Sequence, residues 1–358
     1  MSSALPIKTY TKEAEVAVQA VLRACHVTKS VQDTLKVDDK VSKPDKSPVT
    51  IGDLAAQALI TLHLQNAFPE DKIVGEEDTT ELRKNDGLRN KVVGLVNEGF
   101  AKGKLGKESE GIWGEGESFS EDSVLTALDL GSHTGGPTGR SWTIDPIDGT
   151  LGFLRKEQYA VCLALIVDGI VQLGVLACPN LGTTAVTDSQ TGVLFLAKKN
   201  EGGWMRSLKD DAKWEKTTIP EHPTPLRFLE SVESGHSAHS VQARIGELLG
   251  VQEGTSLRMD SQAKYGALGR GEGGCYLRIP TKYIGGKDYQ EKIWDHASGS
   301  LLISESGGVV SDMHGAPLDF SRGRTLSANE GIVAAASGVH AKAVESVKKA
   351  IEEFGKKV

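Results

Sequence analysis

Small and apolar positions near the start of the chain recur at helical spacing: Ala17, Val21, Ala24, Thr28, Val31 and Leu35. The spacing predicts a helix over about Thr11 to Leu35, followed by a polar break from Asp38 to Lys46. A second helix is expected from Thr50 to about Phe68, where Pro69 closes it. Lys72 to Gly75 reads as a short strand that emerges onto two acids, Glu76 and Glu77. Between Asn85 and Gly139 the composition shifts to Gly, Lys, Glu and Ser. This stretch is read as a solvent-exposed insertion carrying one helix, capped by Ser120 and stopped by Gly131.

Period-two patterning then takes over. Arg140 to Ile144 predicts a strand that ends at Pro146, which cannot continue a ladder. Tyr159 to Thr187 predicts antiparallel strands joined at Asp168-Gly169, a hairpin signal that also breaks the longest apolar stretch and argues against a membrane helix. Leu194–Ala197 and Gly203–Met205 form a further pair. Beyond a Pro/Thr/His-rich connection at 220–225 the pattern alternates. Strands are expected at Phe228–Val232, Cys275–Ile279 and Val309–Val310, and helices at Ser240–Leu249, Trp294–Ser306 and about Ala341–Phe354. The expected organisation is an α+β N-terminal domain (1–224) joined to an α/β C-terminal domain (225–358).

Composition narrows the function classes. A chain of 358 residues with 39% hydrophobic and 25% charged residues can bury two ordinary cores. Its net charge of -7 offers no footprint for a nucleic-acid polymer. Cys25, Cys162, Cys178 and Cys275 lie far apart, which disfavours a soft-metal site and points to reduced, buried thiols and a cytoplasmic protein. Charges at Lys8, Lys12, Glu13 and Glu15 interrupt any apolar signal core. Neither a membrane nor a polymeric nucleic acid is therefore an expected partner.

The richest chemistry lies in Asp145-Pro146-Ile147-Asp148-Gly149-Thr150: two carboxylates, a turn and a hydroxyl within six residues. Aspartates on either side of a turn can converge on a hard divalent cation, with a backbone carbonyl completing the oxygen set. Taken singly, the acids have ordinary explanations. Asp53 could close a capping box with Thr50, Asp295 could complement a helix dipole, and Thr150 could cap a helix.

Their order along the chain carries more. Ser47-Pro48-Val49-Thr50 with Asp53, then Val74-Gly75-Glu76-Glu77, then the Asp145–Thr150 motif, then Trp294-Asp295-His296-Ala297 resembles the lithium-sensitive, Mg²⁺-dependent phosphomonoesterases of the inositol monophosphatase and fructose-bisphosphatase superfamily. The resemblance spans about residue 11 to the C-terminus, apart from 85–139. Gly149–Arg155, Glu233–His239, Met259–Tyr265, Tyr276–Pro280 and Tyr289–Lys292 are similar to the fungal 3'(2'),5'-bisphosphate nucleotidases within it.

This resemblance implies a layered αβαβα sugar-phosphatase fold, a monomer, and hydrolysis of adenosine 3',5'-bisphosphate to AMP and phosphate. It implies action on the sulfated nucleotide too, in support of sulfate assimilation. Glu76, Asp145, Asp148, Asp295 and the Ile147 carbonyl would hold Mg²⁺, about two to three ions. Asp53 and Thr150 would activate the attacking water. His236, Ser261, Lys264 and Arg278 would bind the nucleotide, with His239 as an alternative to His236, and Thr150 and Asp295 would also touch the scissile phosphate. Two other functions are open: an inositol polyphosphate 1-phosphatase, and a non-catalytic nucleotide sensor, which the intact acidic set disfavours. The Gly269–Gly274 run and Gly285-Gly286 depart from the expected pattern beside the proposed specificity pocket.

Overall fold

The computed structural model describes residues 5–34, 40–42, 48–101, 113–186, 188, 191–209, 212–232, 239–252, 254–284 and 289–355. Helices α1 (Thr11–Thr34) and α2 (Ile51–Ala67) pack side by side, flanking a two-stranded ribbon of β1 (Lys40–Ser42) and β2 (Pro48–Thr50). A seven-stranded sheet follows, in the order β3-β4-β5-β6-β7-β8-β9. Its strands are β3 (Lys72–Gly75), β4 (Arg140–Asp148), β5 (Ala160–Val167), β6 (Ile170–Cys178), β7 (Val193–Lys198), β8 (Gly202–Ser207) and β9 (Glu215–Lys216). Only β3 and β4 run parallel; the rest is an antiparallel meander. The expected hairpin is present, with Asp168 (φ 49°) and Gly169 (φ 73°) both left-handed as a tight two-residue turn requires.

Side-chain alternation sends the two faces of this sheet into different cores. Val161, Leu163 and Leu165 of β5 join the core under α1 and α2, whereas Ala160, Cys162, Ala164 and Ile166 face the opposite way. On that second face lie α7 (Ala263–Gly269) and α8 (Ala297–Glu305). Beyond them stands a five-stranded sheet in the order β11-β10-β12-β14-β13. It comprises β10 (Phe228–Glu230), β11 (Leu257–Arg258), β12 (Cys275–Arg278), β13 (Gly308–Ser311) and β14 (Ile332–Ala336). Helices α6 (His239–Leu249) and α9 (Ser337–Gly355) close the stack, giving the expected αβαβα layering. The chain crosses from one sheet to the other between β9 and β10. All four cysteines are free and buried. No helix among the described residues is long and apolar enough to cross a membrane.

Three expectations need correction. The 85–139 stretch is not merely exposed: α3 (Asp86–Phe100) precedes α4 (Glu121–Leu130), and its Leu88, Val92, Val96 and Phe100 join the first core. The polar composition masked a four-residue apolar repeat opened by Asn85, whose side chain accepts from Leu88 N at 3.0 Å. Strand β4 does not stop at Pro146. Asp145 pairs with Cys162 and Asp148 with Ala160, so Pro146 and Ile147 sit in a bulge where no ladder donor is needed. Helix α7 begins within the Met259–Tyr265 motif, where no helix is expected from the sequence, and α8 begins at Ala297 rather than Trp294.

Helix α8 rests directly on β6. A Cβ on Gly174 would stand 3.0 Å from both the Cα and the carbonyl oxygen of Ser298. Gly174→Ala should therefore destabilise the protein by about 1–3 kcal/mol, because backbone rather than a mobile side chain must yield. The midpoint of denaturant unfolding reports this; an unchanged midpoint would mean that α8 can lift away freely.

Candidate active site

The parallel pairing of β3 with β4 sets Gly75 opposite Ile144, and Glu76 N donates to Ile144 O at 3.3 Å. Glu76 therefore leaves its strand beside Asp145. The bulge in β4 re-aims the next residues, so that Asp145 and Asp148 present carboxylate oxygens to the same point as Asp295, which precedes α8. These three offer oxygens within 4.8 Å of one another. Asp53, in the first turn of α2, is almost fully buried.

Burial and mutual repulsion act on these groups together. Burial holds the Asp145 carboxyl well above the usual range, and Glu76, Asp148, Asp295 and Asp53 push it further in the same direction. Asp295 is raised first by burial and then by Asp148, while Arg278 acts oppositely. Asp148 is raised to about 6 by burial, although Lys264 and the Gln262 amide favour its ionised form. One oxygen of Asp145, Oδ1, is buried without any hydrogen-bond partner. A buried, unsatisfied carboxylate oxygen among like charges is costly unless a cation completes it. The donors are all oxygen, a set that suits a hard divalent cation such as Mg²⁺.

The turn after the bulge is equally constrained. Gly149 is left-handed (φ 89°), and a Cβ there would meet Ser261 Cβ at 2.7 Å. That close approach joins α5 (Thr150–Arg155) to the loop before α7. Thr150 opens α5 with its hydroxyl 3.4 Å from the Ile147 carbonyl. Helix α5 packs against β2, the strand that leads into Asp53.

Helix α7 and the second sheet contribute one cation each. Lys264 is buried in α7, donates to Met259 O at 3.2 Å and lies 5.4 Å from the Tyr276 ring. Burial lowers its pKa to about 8 against the attraction of Asp148. Arg278, at the end of β12, donates from Nε to Glu291 Oε1 at 2.7 Å. Burial works against its charge, but Glu291, Tyr276 and Asp295 outweigh it. Ser261 (φ 66°) accepts from Ala263 N at 3.0 Å. His236 lies outside the described residues, and His239 is described only as backbone, the first residue of α6.

Sequence reasoning missed the residues that tie the parts together. Gln262 donates its backbone N–H to Asp148 Oδ2 and its side-chain amide to Trp294 O at 2.8 Å, and its Oε1 accepts from Ser298 at 3.0 Å. It thereby links the Asp148 and Asp295 turns. His296 bridges Glu291 Oε2 (3.0 Å) and the Tyr265 hydroxyl (2.9 Å), fixing Arg278 through Glu291. Glutamine and histidine inside quoted motifs were the available signal, but nothing in the sequence says what they touch.

The inositol monophosphatase family profile matches residues 9–352. The chain belongs to the inositol monophosphatase family. It is 44% identical over 360 residues to a 3'(2'),5'-bisphosphate nucleotidase of Emericella nidulans, covering 96% of this chain and 99% of that one. A protein of the same name from Schizosaccharomyces pombe is 43% identical (94% and 95% covered), and one from Oryza sativa 40% (96% of each). Among solved structures, an IMPase of Thermotoga maritima superposes with a TM-score of 0.60 at 17% identity, covering 96% of this chain and 100% of that chain. The suhB protein of Bartonella henselae gives 0.59 at 18% identity, covering 94% of this chain and 99% of that chain. These two establish the inositol monophosphatase fold. Metal dependence is a property of the family, and the acidic cluster fits it.

Proposed function

We propose that the chain is a Mg²⁺-dependent 3'(2'),5'-bisphosphate nucleotidase that hydrolyses adenosine 3',5'-bisphosphate to AMP and phosphate. The observation that carries this reading is the joining of an acidic, all-oxygen cluster to two cations, the buried Lys264 and the half-buried Arg278. A substrate with one phosphate would need only the cluster. A bisphosphate needs both halves, and the names of relatives at 40–44% identity agree.

In this reading Glu76, Asp145, Asp148, Asp295 and the Ile147 carbonyl hold Mg²⁺, which when bound neutralises phosphoryl oxygens and lowers the pKa of water. Asp53 accepts a proton from the Thr150 hydroxyl, and the Thr150 oxygen accepts one from the attacking water. Thr150 and Asp295 contact the scissile phosphate. Lys264 meets the retained phosphate as a point charge, and Arg278 meets it with the donors that Glu291 leaves free. Ser261 and His236 complete the nucleotide contacts. The sulfated nucleotide is a second substrate, which gives a role in sulfate assimilation, and lithium and sodium inhibit. The site takes a small molecule, and the protein works as a cytoplasmic monomer.

The test compares kcat/KM for adenosine 3',5'-bisphosphate and inositol 1,4-bisphosphate, with and without millimolar lithium. Faster, lithium-suppressed cleavage of the nucleotide is expected. Preference for the inositol compound would keep the acidic site and overturn the nucleotide roles of His236, Ser261, Lys264 and Arg278.

A pH dependence follows. Burial pushes the Asp148 carboxyl up to about 6, above its ordinary value of 3.8, so it takes up a proton as pH falls through about 6. Mg²⁺ must then displace that proton, and its stabilising effect weakens. The rise in Tm on adding Mg²⁺ should be full at pH 8 and fade below pH ~6. A Tm shift that is constant down to pH 5 would contradict the assignment of Asp148 as a ligand.

A further inference from the structure

We infer that Arg324 is a positioning residue that holds two arms of the acidic cluster in register, the end of β3 and the segment that leads into α8. This rests on reading Glu76 and Asp295 as cation ligands. Glu76 follows β3 of the seven-stranded sheet, and Asp295 lies in the segment that leads into α8. Arg324 touches both approaches.

Its side chain faces the Glu76 arm. Nη2 donates to the carbonyl of Gly75, the residue before Glu76, at 2.5 Å. Nη1 donates to the carbonyls of Gly131 and His133 at 3.0 and 3.1 Å, in the turn that ends α4. Gly131 O in turn accepts from Gly75 N at 2.8 Å, so the guanidinium completes a closed set of bonds around the end of β3. Its planar fork is suited to several carbonyls at once.

The backbone and the flat face of the same residue hold the Asp295 arm. Arg324 O accepts from Ile293 N at 3.1 Å, Lys292 bridges to Thr325, and Leu326 N donates to Glu291 O at 2.8 Å. The guanidinium also lies 4.7 Å from the ring of Trp294, the residue before Asp295. The preceding residue has to be glycine for this approach. Gly323 is left-handed (φ 97°), and a Cβ on it would stand 3.0 Å from Thr134 O. Within one residue of each carboxylate, then, the same side chain makes a directional contact.

Charge and position predict opposite outcomes, which makes the inference testable. Arg324 is a cation beside Glu76 and Asp78. If it acted by charge alone, removing it would tighten cation binding. As a clamp, its loss lets the two arms drift and weakens binding. Supports of this kind change metal affinity by roughly tenfold or more.

The experiment is calorimetric titration of Mg²⁺ into the wild-type protein, Arg324→Met and Arg324→Lys, with melting temperature measured on each. Val347→Ala in α9, buried and away from the site, serves as a destabilised control. Arg324→Met should bind Mg²⁺ about tenfold more weakly. Arg324→Lys should also bind more weakly, because a point charge cannot span three carbonyls, and Val347→Ala should keep the wild-type affinity despite its lower Tm. If Arg324→Met does not fold, Arg324→Lys decides alone. Unchanged or tighter binding in the Arg324 variants, or an equal loss in Val347→Ala, would overturn the inference. A wild-type protein that binds no Mg²⁺ would instead overturn the metal reading on which it rests.

Discussion

Asp145→Asn should lower turnover by about three orders of magnitude and, at the same time, raise the melting temperature of the metal-free protein. Asp145 is buried, its Oδ1 has no partner, and four other acids raise its pKa after burial itself. Asparagine keeps the shape and removes the charge, so the folded state sheds a repulsion that the unfolded chain does not feel. A relief of about 1 kcal/mol would move Tm by about 1–2 °C in a protein of this length. Added Mg²⁺ should reverse the order of stability, because only the wild-type cluster gains from it. Turnover near the wild-type value, or a metal-free variant that melts lower, would show that Asp145 is a structural acid.

The second large effect belongs to the water-activating pair. Thr150→Ala should cut kcat by about 10²–10⁴ with little change in fold or Mg²⁺ affinity. The hydroxyl's contact with the Ile147 carbonyl is long at 3.4 Å, so its structural contribution is small. Asp53→Asn should have an effect of similar size. Because the two act on one proton path, the double variant should be little worse than either single one. Steady-state kinetics with saturating Mg²⁺ check this. Multiplicative losses in the double variant would separate Asp53 from Thr150, and near-normal kcat in either would remove that residue from the reaction.

Much of this arrangement is legible in the sequence where a local rule decides. Asp168-Gly169 specifies its hairpin, Ser120 its cap and the alternation in β5 its two buried faces. The carboxylates of Asp145, Asp148 and Asp295 also meet as their motifs imply. Sequence reasoning fails where a long-range contact decides. Pro146 argues for a strand end by a local rule, and only pairing with β5 creates the bulge that accommodates it. Helix α3 is amphipathic, yet Gly87, Gly94 and Gly99 dilute its pattern; a Cβ on Gly99 would run into the buried side chains of Leu59 and Val27. The Gly269–Gly274 run, a departure from the expected pattern, is a fitted corner: Gly271 and Gly273 are left-handed, and a Cβ on Gly274 would meet Pro223 and Leu226. The tethering roles of Gln262, His296 and Arg324 depend on partners far away in the chain, and no spacing announces them.

The most direct test of the account is phosphate release from adenosine 3',5'-bisphosphate by the purified chain as Mg²⁺ is titrated from a chelated start. The account predicts negligible release without Mg²⁺, saturable release with it, and loss of that release in Asp145→Asn. Release that is unaffected by chelation, or absent at every Mg²⁺ concentration, would contradict it.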